Sequence, residues 1–65
     1  MDPDANLKEQ LEIIARIIAR GETGSYTEAE RDEQVADAER LADLVEALDG
    51  WIKGGGFPPA AWRQQ

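Results

Sequence analysis

The chain has 65 residues, fourteen acids against seven bases (formal charge −7), and neither cysteine nor histidine. Such a length makes one small domain, and the missing cysteine and histidine remove disulfides and the usual zinc donors. The negative balance argues against direct binding to nucleic acid or to an anionic membrane, both of which select cationic surfaces.

No apolar run approaches the roughly 18 residues of a membrane-spanning helix. The N-terminus begins with acids and lacks the basic-then-apolar order of a signal peptide. The expected location is therefore the cytoplasm.

In chain order, the first predicted element is a helix over about residues 3–20. Asp2 can cap it with Pro3 at the first position, where a missing N–H costs nothing. The alternative is Asn6 as cap, with Glu9 completing a capping box. Leu7, Leu11, Ile14 and Ile18, flanked by Ile13 and Ile17, step by three and four residues and share an arc of about 160° on a helical wheel. Lys8, Glu9, Glu12, Arg16 and Arg20 fall on the other side. Glu12 and Arg16 are spaced for an i,i+4 pair, the arginines suit the C-terminal end of the helix dipole, and Gly21 supplies a left-handed stop.

Residues 21–26 read as a loop. Thr27 followed by Glu30 is a capping box that starts a second helix over about residues 28–53, ending at Gly54-Gly55-Gly56. Gly50 costs a helix interior about 1 kcal/mol relative to alanine. The helix is expected to run through it, because Trp51 and Ile52 keep the phase of the stripe Leu41, Leu44, Val45, Leu48. Before Leu41 the second helix offers Val35 and small residues such as Ala29, Ala36 and Ala38. Residues 54–65 form a Gly/Pro/aromatic tail in which Phe57 and Trp62 are expected to fold back over the open end, beside Trp51. A docking peptide built on Pro58-Pro59 is the other reading, and the fuller PxxP pattern is absent.

The fold class is thus all-α: an antiparallel helical hairpin, one domain over residues 1–65, with an aromatic C-terminal tail. Two helices make a thin core, and a chain of this size is marginal alone. A stripe as wide as that of the first helix has more than one neighbour. The expectation is a homodimer forming a four-helix bundle, with Leu7, Leu11, Ile13, Ile14, Ile17 and Ile18 as the self-association surface and the two-fold axis near helix 1.

Catalytic chemistry finds no footing in the residues. The hydroxyls Thr23, Ser25, Tyr26 and Thr27 lie in or beside the loop, and the paired carboxylates lack the apolar pocket that shifts a pKa. The triple glycine is followed by Phe-Pro-Pro and so does not form a phosphate loop; the acids do not follow a calcium-loop pattern. No catalytic residue, cofactor or metal site is expected. The expected function is a small non-enzymatic module that binds itself and another protein.

The alternative rests on Glu28, Asp32, Glu39, Asp43 and Glu46, which share an arc of about 60° and extend over roughly 27 Å. Carboxylates about 6 Å apart can compete with phosphates for a basic surface. An acidic nucleic-acid mimic, or inhibitor of a nucleic-acid-binding protein, would use this row; for the protein-binding module, Phe57 and Trp62 of the tail are further candidate partner-binding residues. The plainer reading is a solvated helix face.

Ala38-Glu39-Arg40-Leu41-Ala42-Asp43-Leu44-Val45-Glu46-Ala47-Leu48-Asp49-Gly50-Trp51, followed by Gly54-Gly55-Gly56-Phe57-Pro58-Pro59-Ala60-Ala61-Trp62, resembles a pattern in small helical proteins of actinobacteria and their phages. The five arginines against two lysines suit a GC-rich genome. The resemblance implies an origin, possession of the tail as part of the fold, and no activity.

Overall fold

A computed structural model describes residues 1–24 and 26–63. Two helices, α1 (Pro3–Glu22) and α2 (Glu28–Lys53), are followed by a short 3₁₀ turn at Ala60–Arg63. The described residues contain no strand, and the helices pack against each other as a hairpin.

Local chemistry accounts for each boundary. Asp2 caps α1: its Oδ1 accepts the Asp4 and Ala5 N–H groups at 3.0 and 3.1 Å, with Pro3 in the first turn. Asn6, the alternative cap, is instead buried inside the helix. The helix runs through Gly21 to Glu22 and ends at Thr23, whose hydroxyl bonds the Arg20 carbonyl at 2.7 Å. The left-handed turn falls at Gly24, φ 77°. Gly21 tolerates that conformation but does not require it, and Arg20, held by α2, keeps the last turn wound. Ser25, part of the expected loop, lies outside the described residues.

The Thr27–Glu30 capping box opens α2, with both reciprocal bonds at 3.1 Å. That helix continues through Gly50. It ends in a Schellman arrangement: the Gly56 N–H donates to Trp51 O at 2.8 Å and the Gly55 N–H to Ile52 O at 3.1 Å, with Gly55 at φ 98°. Glycine is the residue that adopts this geometry without strain.

The chain after Gly56 doubles back. Trp51 Nε1–H donates to Phe57 O at 2.8 Å, and the two rings meet edge to face at 5.7 Å. The Ala60 N–H donates to the Asp4 carboxylate at 2.7 Å, which ties the strap to the first turn of α1. Pro3 and Pro59 are both fully buried.

The molecule is a slab of 42 × 23 × 14 Å, one helix layer thick. Its radius of gyration is 14.1 Å, against about 11 Å for a compact chain of this length. Among the described residues the large aliphatic side chains that are buried are Ile13, Leu44 and Leu48.

Candidate interaction surface

The face that α1 turns to α2 is not the centre of its apolar stripe. It is the row Asn6, Gln10, Ile13, Ile17, Arg20, at helical spacing. Asn6 Nδ2 donates to the Leu44 carbonyl at 3.0 Å, and Gln10 Nε2 donates to Asn6 Oδ1 at 2.6 Å, so two buried amides are satisfied.

At the loop end the seam is ionic. Arg16 forks onto Asp37 at 3.0 and 3.2 Å. Arg20 also pairs with Asp37, donates to Gln34 Oε1 at 2.8 Å and comes within 3.9 Å of Glu33. The Arg20 and Asp37 side chains are only 10% and 15% exposed. Glu9 and Arg40 make a second fork at 2.7 and 2.9 Å.

These pairs correct two expectations. Arg16 turns to Asp37, not to Glu12, and Arg20 belongs to the seam, not to the solvent side. Val35, expected to serve the inner face, is 58% exposed. The reason is the composition of α2 toward the loop: its inner positions are Gln34 and Asp37, and they draw guanidinium groups that α1 supplies only when it is rotated. Charge matching across an antiparallel pair, Arg16 and Arg20 against Glu33 and Asp37, was the signal in the sequence that marks this rotation.

The Arg16 and Arg20 hydrogen bonds hold the Asp37 carboxyl down at about 2, and Arg40 lowers that of Glu9. A depressed carboxylate contributes stability that is present above its unfolded value and lost as pH falls through the folded one. For Asp37 the loss falls between about pH 4 and about pH 2. We expect the urea midpoint of the wild type to fall more steeply across that window than that of Asp37→Asn. The exposed acids of α2 repel one another less on protonation, so the difference between variants is the quantity to measure. Parallel acid limbs would show that the Asp37 cluster contributes nothing to folding.

The rotation leaves the rest of the α1 stripe uncovered. Leu11, Ile14 and Ile18 are 56%, 37% and 56% exposed; Leu7 and Ile17 are half-buried, and Ile13 is taken up by the hairpin's own core. On α2, Val45 is 48% exposed. In an antiparallel pair, positions following the seam in the direction of increasing angle lie on the same side of both helices. One broad side of the slab is therefore apolar: a ridge of Leu11, Ile14 and Ile18 on α1, beside a groove along α2. That groove, about 590 Å³ and open along its length, is lined by Ile17, Ala38, Leu41, Ala42 and Val45, with Glu46 and Asp49 at its rim. The opposite side carries the Glu9–Arg40 and Arg16–Asp37 pairs.

Trp62 borders the same apolar side near the termini, beside a recess lined by Gln10, Val45, Leu48 and Ile52. Phe57 lies under the guanidinium of Arg63 at 5.9 Å. Both rings remain about half exposed.

Glu28, Asp32, Glu39, Asp43 and Glu46 are all exposed. They run along the pole of α2 that points away from α1, and among the described residues none meets a base within 4.0 Å. Among the described residues no cluster of acids is arranged to hold a metal ion, and no helix is long and apolar enough to cross a membrane. The hydroxyls of Thr23 and Thr27 serve the helix ends. No protein-family model, curated protein or solved structure matches the chain.

Proposed function

We propose that this chain is a small non-enzymatic helical module that works by protein association, and that its apolar side is the associating surface, occupied first by a second copy of itself. One observation carries the reading: a hairpin that buries three large aliphatic residues among those described leaves Leu11, Ile14, Ile18 and Val45 uncovered on a single side. Exposed apolar side chains grouped in this way mark interaction sites. A chain without disulfide or metal also needs another staple, and association supplies one. Light scattering on the purified protein tests it. The expected mass is about twice the 7.2 kDa of the chain; a chain that stays monomeric at all concentrations overturns the reading.

A second reading keeps the acidic row of α2 as a mimic of a nucleic-acid backbone. It is favoured by the row's position: Glu28, Asp32, Glu39 and Asp43 lie on α2 outside the lining of the apolar groove, whose rim Glu46 joins, so these four stay solvated when that side is covered. Replacing Asp32, Glu39 and Asp43 with their amides is expected to abolish any displacement of a basic DNA-binding domain from DNA while leaving helicity unchanged. Displacement by the triple variant equal to that of the wild type removes this reading.

A further inference from the structure

Resting on the self-association just proposed, we infer the arrangement of the two copies: the α1 ridge of each protomer lies in the α2 groove of the other, about a two-fold axis parallel to the helices. The self-association surface is then shared by both helices and is not confined to α1.

The need for a second copy follows from area. The single chain exposes 4697 Å², where a compact monomer of 7.2 kDa exposes about 4,100 Å². The excess of about 600 Å² approaches the roughly 800 Å² that each partner buries in a standard interface. It arises because the slab is one helix layer thick, and stacking a second layer removes it.

Which layer faces which follows from size. The uncovered residues of α1 are large (Leu11, Ile14, Ile18), and those along the middle of the α2 groove are small (Ala38, Ala42). The seam joins Asn6 to Leu44 and Arg16 to Asp37, so Ile14 stands level with Ala38 and Leu11 with Ala42. A two-fold axis parallel to the helices keeps levels unchanged and places α1 of one copy over α2 of the other. Ridge then meets groove twice, as an isologous contact requires, and large residues interdigitate with small ones. The other face-to-face arrangement turns the second copy end for end, setting large ridge on large ridge and alanines on alanines.

Charge selects the same arrangement. With α1 over α2, the two acidic rows lie on opposite edges of the bundle. End for end, α2 lies over α2 and the rows run side by side on one edge, where like charges repel. The chosen packing also sets Lys8, unpaired within its own chain among the described residues, at the level of Asp43 and Glu46 of the second copy. Asp4 and Glu12 share that edge with Lys8, so the attraction there is partial and size complementarity is the main determinant.

The native chain has no cysteine, which makes crosslinking clean. Ile14→Cys and Ala38→Cys are made separately, one with a short mass tag, mixed and oxidised, with light scattering on the untreated mixture. The expected product is the I14C–A38C heterodimer. A dimer by mass in which I14C crosslinks to itself and not to A38C overturns this arrangement and leaves self-association standing. A monomer by mass with no crosslink overturns both.

Discussion

Ile14→Asp is expected to turn the proposed dimer into a monomer. Ile14 is 37% exposed in the single chain and takes no part in the polar seam, so its replacement leaves the hydrogen bonds and ion pairs that join α1 to α2 in place. In the paired form it becomes buried, and a carboxylate there has no partner. Pairing can cover only the 37% of Ile14 that is exposed, so of the about 1.5–3 kcal/mol of a full burial roughly a third, about 0.5–1 kcal/mol, is gained per copy, and a two-fold interface loses it twice, about 1–2 kcal/mol. At 1.4 kcal/mol per tenfold that raises dissociation by a factor of about 5 to 30, and the penalty of burying an unpaired charge comes on top. Light scattering reads the mass. Thermal melts read the linkage: the wild-type midpoint is expected to rise with protein concentration, whereas that of the variant stays constant and lower. A variant that remains dimeric with an unchanged midpoint would place the interface elsewhere.

Gly56→Ala is expected to unlatch the strap. A Cβ at Gly56 would overlap the indole of Trp51 at Cδ2, Cε2 and Nε1, and those are atoms of a rigid ring whose nitrogen is bonded to Phe57 O. Either the ring swings out or the strap lifts. Each outcome sacrifices the Trp51–Phe57 hydrogen bond, worth about 0.5–1.5 kcal/mol, on top of an overpacking cost of about 1–3 kcal/mol. Tryptophan fluorescence is expected to shift toward that of a solvated indole, together with a lower urea midpoint. Gly50→Ala is the matched control. Its Cβ meets open space inside α2, so it is expected to raise stability by about 1 kcal/mol. If Gly56→Ala behaved like the control, the latch would have no energetic weight.

The acidic pole of α2 bears on the two readings differently. Most of it stays solvated in the proposed dimer, so neutralising Asp32, Glu39 and Asp43 costs no more than the partial attraction between Asp43 and Lys8 of the second copy while lowering net charge, and self-association is expected to persist. Ile14→Asp does the reverse, removing the dimer while leaving the row in place. The two sets of variants therefore separate an apolar role from an electrostatic one in the same assay.

Elements and ends were legible in the sequence because their causes are local. Asp2 before Pro3, Thr27 with Glu30 and the glycines after Lys53 each act within a turn of themselves, and the 3.6-residue period of Leu and Ile needs no tertiary partner to be read. Even the passage of α2 through Gly50 follows from the phase of Trp51 and Ile52. The candidate surface was legible only in outline: the α1 stripe is visibly too wide for one neighbour.

Which part of the stripe the hairpin consumes was settled by the tertiary structure. A helix can be rolled about its axis without changing its own hydrogen bonds, so the roll is decided by what the other helix presents. Here Gln34 and Asp37 present polar groups, and Arg16 and Arg20 answer them. Asn6 and Gln10 complete the seam beside Leu44, and the isoleucine and leucine ridge is turned outward. The alanine-floored groove beside the ridge, and the strap that closes the far end through Asp4 and Trp51, likewise join residues distant in the chain. Periodicity determines that an apolar stripe exists; pairing between distant polar groups determines how much of it remains for a second molecule.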